Sequence, residues 1–177
     1  AEAWKTALTN HKGPTALILT RQNVPHIDRA RFAPAENLAK GGYVLADPAE
    51  GKPEVIIMAT GSEVQLALGA FEDLAKRGVM ARVVNMPSWE LFESQDARYK
   101  DQVLPPDLRV RVSIEAASTM GWHRYVGLDG CAIGIERFGA SAPYKTIYEK
   151  FGLTIEGVSS MALALLNKKK GLFLDRI

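Results

Sequence analysis

Residues 55–68 have the sequence VIIMATGSEVQLAL, in which an apolar run, a small turn and an amphipathic segment follow one another. This order predicts a buried strand at 54–60 that leads through the turn into a helix at 63–77. Nucleotide-binding α/β domains use the same order to present a phosphate to a helix N-terminus. The turn has a single glycine, however, and neither the GxGxxG nor the GxxxxGK[ST] pattern is present. Ser62 is therefore predicted to cap the helix, and it stays an alternative candidate for a ligand site.

The chain repeats the strand-and-helix pattern after this unit. Including the opening strand, apolar runs predict five strands, at 43–45, 54–60, 80–86, 109–116 and 131–138. Helical spacing predicts further helices at 88–104 (one or two, capped by Ser88), 141–150 and from Thr154 onward. Strands that alternate with helices form a largely parallel sheet through right-handed crossovers. The short first strand, which a tight turn joins to the next, is predicted to be the antiparallel one.

The first 42 residues differ from the rest. Apolar spacing over 1–10 predicts an amphipathic helix, and TALIL at 15–19 predicts a buried strand whose sheet lies mostly outside this chain. Residues 22–42 contain two prolines and a closing Gly-Gly, which is typical of a connector with one short helical turn. Arg21 follows the predicted strand at its carboxyl end, where open α/β sheets bind ligands. Its position is compatible with phosphate binding and with a surface arginine alike.

Composition excludes several function classes. The 177 residues are 47% hydrophobic and 24% charged, and 22 basic against 20 acidic residues give a formal charge of +2. This balance gives no reason to expect a nucleic-acid or membrane partner, and no apolar stretch reaches the roughly 18 residues of a membrane span. A single cysteine, Cys131, rules out an internal disulfide and favours a reducing, cytoplasmic compartment. The sequence opens on a helix that has already begun, so we expect a fragment of something longer.

Few other side chains suggest chemistry. His11, His26 and His123 stand far apart, without metal-ligand spacing, and no Ser-His-Asp order emerges. Glu115 ends a central strand, a position that makes it a weak candidate for a ligand site. Cys131 lies in an apolar run and is predicted to be a buried, inert thiol.

Four segments resemble the carboxyl-terminal part of transketolases. They are GPTALILTRQN (13–23), IIMATGSEVQLAL (56–68), RVVNMPSWELFESQD (82–96) and GWHRYVGLDGCAIGIERFGASAPYKTIYEKFGLT (121–154). The match runs in order along nearly the whole chain, and its last block is long and specific.

The resemblance implies a domain plan. Residues 1–24 would be the tail of a pyrimidine-binding domain, 25–40 a linker, and 41–177 the carboxyl-terminal domain. The implied fold of this last part is α/β: a three-layer Rossmann-like domain with a mostly parallel five-stranded sheet and one antiparallel strand. A helix–strand fragment of a second α/β domain would precede it.

The resemblance also implies a function for the intact protein. Transketolases are homodimeric transferases of the pentose phosphate pathway that move a two-carbon ketol unit between phosphorylated sugars. They use thiamine diphosphate and Mg²⁺ or Ca²⁺. This sequence lacks the family's GDG…N motif, its activating glutamate and its substrate-channel histidines. We therefore expect no catalytic, cofactor-binding or metal-binding residue in the chain, which would be inactive without the missing amino-terminal portion of the same protein.

One site residue can be carried over from the family. The arginine of the family's SRQ segment binds the phosphate of the sugar, and it matches Arg21 in TRQ, with Thr20 in place of the serine. The resemblance thus assigns substrate phosphate binding to Arg21.

Three alternatives remain open at this point. The chain could be a regulatory module with a small ligand near Thr60, Glu115 and Gly121. It could be a dimerisation domain with Trp122 and Tyr125 at an interface. It could also come from another thiamine diphosphate enzyme of the same architecture.

Overall fold

A computed structural model describes residues 1–174 as an α/β domain preceded by a short helix and an extended arm. The five strands are β1 (Tyr43–Ala46), β2 (Val55–Ala59), β3 (Ala81–Asn85), β4 (Arg111–Ile114) and β5 (Cys131–Ile133). The helices are α1 (Glu2–Thr9), α2 (Val64–Lys76), α3 (Trp89–Glu93), α4 (Ala97–Val103), α5 (His123–Val126), α6 (Tyr144–Phe151) and α7 (Ile155–Leu174). Two 3₁₀ helices, Ala35–Lys40 and Gly61–Glu63, complete the set of described elements. The predicted domain end at residue 177 lies outside the described residues.

The sheet confirms the predicted fold class. Its strand order is β1-β3-β2-β4-β5, in which β2, β3, β4 and β5 are parallel and β1 pairs with β3 in the antiparallel sense. The antiparallel strand was predicted correctly, but it does not pair with β2, the strand that follows it along the chain. Residues 47–54 instead cross from β1 to β2 and leave a gap between them, which β3 later fills. β1 is therefore the edge strand next to β3.

The central strand β2 explains the three layers. Its five residues are all buried, and alternate side chains enter two different cores. Ile57 packs with α2 and α7 on one face of the sheet, which we call the first core. Ile56 and Met58 pack with α3, α4 and α5 on the other face, in the second core. Burial of each of these side chains stabilises the fold by about 1.5–3 kcal/mol. The continuous apolar run of 55–59 is thus the signature of a strand that is covered on both faces.

Helix caps confirm two sequence predictions. Ser88 accepts a hydrogen bond from the Leu91 backbone N–H at the start of α3, and Thr154 accepts one from Gly157 at the start of α7. The predicted helix from Ser141 begins later, at Tyr144.

The strand at 15–19, whose sheet was predicted to lie mostly outside this chain, stays a prediction. Among the described residues this segment belongs to no sheet, and the side chains of Ile18 and Leu19 are 94% and 75% exposed. A strand needs hydrogen-bonded neighbours, and the described residues place none beside this segment. Apolar composition therefore predicted burial that this chain alone does not supply.

The alternative that placed Trp122 and Tyr125 at a dimer interface is wrong for these two residues. Trp122 is 1% exposed and Tyr125 is 3% exposed, and both lie in the second core with Trp89. The Trp122 and Trp89 rings meet edge to face, with centroids 5.0 Å apart. Aromatic residues in this motif thus fill the core of the domain and are not available to a partner.

Across residues 1–174, no helix combines the length and the apolar character that crossing a membrane requires.

Candidate functional site

The predicted site residues gather at one end of the sheet. Ser62 follows β2 and Glu115 follows β4, and these two strands are neighbours. From β2 the chain first adds β3 on one side and later β4 on the other, so the topological switch point lies between β2 and β4. Ligands of open α/β sheets bind in the crevice that forms there, at the carboxyl ends of the strands.

A buried carboxylate occupies this switch point. Glu63 is only 4% exposed. Its Oε2 accepts a hydrogen bond from the backbone N–H of Ala116 (3.0 Å), which follows β4. Its Oε1 accepts two further hydrogen bonds, one from the Ser62 hydroxyl (2.5 Å) and one from the Tyr148 hydroxyl of α6 (2.6 Å). The carboxylate therefore joins the ends of β2 and β4 to helix α6.

The prediction that Ser62 caps the helix is wrong. Residues Gly61–Glu63 form a 3₁₀ turn, and neither this turn nor α2 has a side-chain cap. The Ser62 hydroxyl points to Glu63 and Tyr148 instead. Gly61 has a φ of +58°, a backbone conformation that favours glycine in this turn.

The amino-terminal arm reaches the same place through Gln22. The Gln22 side-chain amide donates to the Ser62 hydroxyl (3.1 Å) and to the Tyr148 hydroxyl (3.3 Å). The Thr20 hydroxyl in turn donates to Gln22 Oε1. We call the four residues Gln22, Ser62, Glu63 and Tyr148 the switch-point cluster. It joins segments that lie 40 and 126 residues apart in sequence.

Burial and the neighbouring Glu63 carboxylate raise the pKa of Tyr148. Its phenol therefore stays protonated at neutral pH and donates a hydrogen bond to the Glu63 carboxylate. The cluster holds one buried charge, which is surrounded by donors.

Arg21 is adjacent to this cluster. Its side chain is exposed, and its two chain neighbours, Thr20 and Gln22, both take part in the hydrogen bonds just described. The sequence placed Arg21 at the carboxyl end of a strand. The strand is absent from the described residues, yet the arginine does lie beside the carboxyl ends of the sheet, because Gln22 is bonded there.

Glu115 lies where it was predicted, directly after β4. Its Oε2 accepts a hydrogen bond of 2.7 Å from the indole N–H of Trp122. Glu63 and Glu115, which follow two neighbouring strands, thus both already accept hydrogen bonds from the protein. The ligand-site role of Glu115 and Ser62, and with it the regulatory-module alternative, stays a prediction.

The remaining candidates lie apart from the cluster. His11, His26 and His123 are all exposed, and within residues 1–174 no three His, Cys, Asp or Glu side chains are grouped as metal ligands. Cys131 is half-buried, and burial raises the pKa of its thiol, which disfavours the reactive thiolate.

Two open depressions lie at the opposite end of the sheet. One, of about 350 Å³, borders Arg111 at the start of β4, and the other, of about 490 Å³, borders Glu54 just before β2. Their linings mix acidic and basic side chains. Neither contains a predicted site residue.

Sequence reasoning missed Gln22, Glu63 as a site residue, and Tyr148. Glu63 entered the sequence analysis only as the first residue of the predicted helix 63–77. The available signal was its position: a carboxylate in the turn after a fully apolar central strand lies near the switch point, where burial requires partners.

Comparison with known proteins identifies related sequences. The family model described as the Transketolase-like TK C-terminal domain matches residues 41–154. The transketolase of Aquifex aeolicus is 52% identical over 161 residues, which cover 91% of this chain and 23% of that protein. The chain spans about a quarter of the length of the curated transketolases it matches.

Solved structures of transketolases are similar to this chain as well. A transketolase complex with sedoheptulose 7-phosphate from Pichia stipitis superimposes with a TM-score of 0.85 at 38% identity, covering 96% of this chain and 24% of that one. A split-gene transketolase, described as an inactive β4 tetramer, gives a TM-score of 0.62 at 25% identity, covering 83% of this chain and 48% of that one.

Proposed function

The chain belongs to the transketolase family through its carboxyl-terminal domain, and from this premise we propose that it forms part of a thiamine diphosphate-dependent transferase. The intact protein would move a two-carbon ketol unit between sugar phosphates, as a cytoplasmic homodimer of the pentose phosphate pathway. Residues 1–24 would belong to the pyrimidine-binding domain, 25–40 would be the linker, and 41–177 the carboxyl-terminal domain. The match over residues 41–154 is the observation that carries this proposal.

Exposed apolar side chains support the proposed domain plan. In α1 and the arm that follows it, Trp4, Leu8, Ile18 and Leu19 are all largely exposed. Several large apolar side chains exposed within twenty residues are expected where a chain contacts other protein. The segment 15–19 has the composition of a buried strand, and the rest of a pyrimidine-binding domain would supply its sheet.

The described residues do not fit the cofactor or its metal. No group of three metal-ligating side chains occurs within residues 1–174. The turn after β2 carries the buried carboxylate of Glu63 and not a set of converging N–H groups. We therefore assign thiamine diphosphate and Mg²⁺ or Ca²⁺ to the part of the protein that this chain does not span.

Within this function, Arg21 would bind the phosphate of the sugar substrate. A guanidinium is always charged and can donate two parallel hydrogen bonds to phosphate oxygens. The Arg21 side chain is exposed beside the carboxyl ends of the strands, where an anion can reach it. Binding the remote phosphate would place the reacting carbonyl of the sugar correctly.

The test of Arg21 uses the intact enzyme that carries this sequence. Arg21→Ala is expected to lower kcat/KM about 10- to 100-fold for xylulose 5-phosphate, because a charge-assisted hydrogen bond contributes roughly 1.5–3 kcal/mol. The same change should leave the low activity with unphosphorylated xylulose unaltered. Arg98→Ala, at an exposed arginine of α4, is the matched control. An equal loss with both sugars would contradict phosphate binding by Arg21.

The isolated chain is proposed to be inactive and to have a structural or dimerisation role. The 177-residue chain, given thiamine diphosphate, Mg²⁺, xylulose 5-phosphate and ribose 5-phosphate, should show no turnover above background. Robust turnover would refute this part of the proposal.

A further inference from the structure

The switch-point cluster connects the arm that carries Arg21 to the carboxyl-terminal domain. Glu63 and Ser62 follow β2, Tyr148 belongs to α6, and Gln22 belongs to the arm. The arm is attached again further along, where the Ala33 N–H donates to the Leu45 carbonyl of β1 (3.0 Å) and Ile27 packs on the first core. Gln22 is therefore the attachment nearest to Arg21.

The charge of Glu63 sets the direction of every hydrogen bond in the cluster. A carboxylate only accepts, so the Ser62 and Tyr148 hydroxyls must both donate to it. The two hydroxyl oxygens are then left as acceptors, and the two N–H groups of the Gln22 amide fill them. The Gln22 carbonyl oxygen remains, and it accepts from the Thr20 hydroxyl. Each donor has an acceptor, and no other orientation of the Gln22 amide satisfies the set.

This arrangement fixes the backbone on both sides of Arg21. Thr20 and Gln22 each lie one residue away, at the fixed Cα spacing of about 3.8 Å, and their side chains are bonded to each other across Arg21. On the amino-terminal side, Ile18 and Leu19 are exposed. Among the described residues, the amide of Gln22 and the two hydroxyls that receive it thus link the Arg21 backbone to the carboxyl-terminal domain.

We propose that Gln22, Glu63 and Tyr148 are positioning residues for Arg21, through which the carboxyl-terminal domain takes part in binding the phosphate of the substrate. This role rests on the function proposed above for Arg21. A hydrogen-bonded anchor of this kind restricts the backbone from which a long side chain reaches its ligand. Loss of the anchor lowers affinity for the phosphate and leaves the chemistry at the cofactor unchanged.

Tyr148→Phe in the intact enzyme is the first test. The change removes one donor to Glu63 and one acceptor for Gln22, and it keeps the ring that packs edge to face on Tyr144 at 5.6 Å. We expect the KM for xylulose 5-phosphate to rise about 3- to 10-fold, with kcat little changed. This range corresponds to the loss of the one neutral hydrogen bond between Gln22 and Tyr148. The KM for unphosphorylated xylulose should stay the same. Tyr144→Phe, one turn earlier on the same helix, is the matched control.

Gln22→Ala is the second variant, and it lies on the arm outside both cores. It should reproduce the rise in KM, and the double variant with Tyr148→Phe should be no worse than either single one, because both remove the same link. In an Arg21→Ala background, Tyr148→Phe should have no further effect on KM. That dependence on Arg21 separates positioning from a general loss of structure.

The outcomes separate this inference from the function it rests on. If Arg21→Ala fails to weaken phosphorylated substrates selectively, the proposed phosphate site is wrong. If Arg21→Ala does so but Tyr148→Phe and Gln22→Ala behave like Tyr144→Phe, or affect both sugars equally, the positioning role alone is overturned.

Discussion

The hydrogen bond between Glu115 and Trp122 should contribute measurably to stability. Trp122 is 1% exposed, and its indole N–H is 2.7 Å from Glu115 Oε2. Glu115→Ala removes the acceptor and leaves a buried donor unpaired, which costs about 1–3 kcal/mol. Glu115→Gln retains a carbonyl oxygen at the same place and should cost less than about 1 kcal/mol. The main-chain bond from the Glu115 N–H to the Ile133 carbonyl persists in both variants.

Urea unfolding of the 177-residue chain, followed by far-ultraviolet circular dichroism, measures these differences. Glu50→Ala, in an exposed turn, is the control and should stay within about 0.5 kcal/mol of the parent. Trp122→Phe removes the donor, so Glu115→Ala should cost about 1–2 kcal/mol less in that background than in the parent. If Glu115→Ala matches Glu50→Ala, or if the two changes add without coupling, Glu115 does not hold the indole.

Three further predictions concern other parts of the domain. Arg111→Lys should lower the free energy of unfolding by about 1–3 kcal/mol in urea, because the guanidinium of Arg111 donates to four backbone carbonyls that one ammonium group cannot reach together; an unchanged midpoint would contradict this. Gly61→Ala should cost about 1–2 kcal/mol in the same assay, since its φ of +58° disfavours a Cβ although the space is open, and a neutral result would show that the turn adapts. Burial, followed by the nearby Glu93 carboxylate, raises the pKa of Tyr125 to about 12, whereas an unfolded tyrosine ionises near about 10. The unfolded state therefore loses this proton first, and stability should fall between about pH 10 and 12; Tyr125→Phe should flatten that fall, and an equally steep decline in the variant would argue against it.

Local patterns were sufficient to predict most of the fold. The apolar run at 55–59 and the helical spacing after it predicted β2 and α2 within one or two residues. Long-range pairing was harder to predict. The strand predicted at 43–45 was correctly predicted as antiparallel. Its partner is β3, however, because strand order depends on how residues 47–54 cross the sheet and not on local pattern. The strand at 15–19 stays a prediction, because the sheet to which it was assigned lies outside the described residues.

The candidate site was predictable in position but not in its connections. The position of Glu115 at the carboxyl end of a central strand was predicted and is found in the structure. The partners of Ser62 were not predictable from spacing, because Tyr148 and Gln22 lie far from Ser62 in sequence. Thr20 was noted only as a hydroxyl residue that replaces a serine. In the structure that hydroxyl donates to Gln22, which gives a physical reason for having a hydroxyl there.

The switch-point turn resembles a phosphate-binding turn because it does hold an anion, and the anion is its own Glu63. The N-terminus of α2 favours negative charge, and the carboxylate there receives the Ala116 N–H and two hydroxyl groups. A second anion in the same crevice would be repelled. The neutral amide of Gln22 can bind at its rim, and it brings Arg21 with it. If Arg21 binds the substrate phosphate as proposed, the carboxylate at the centre of the crevice would direct that phosphate to the cation beside it.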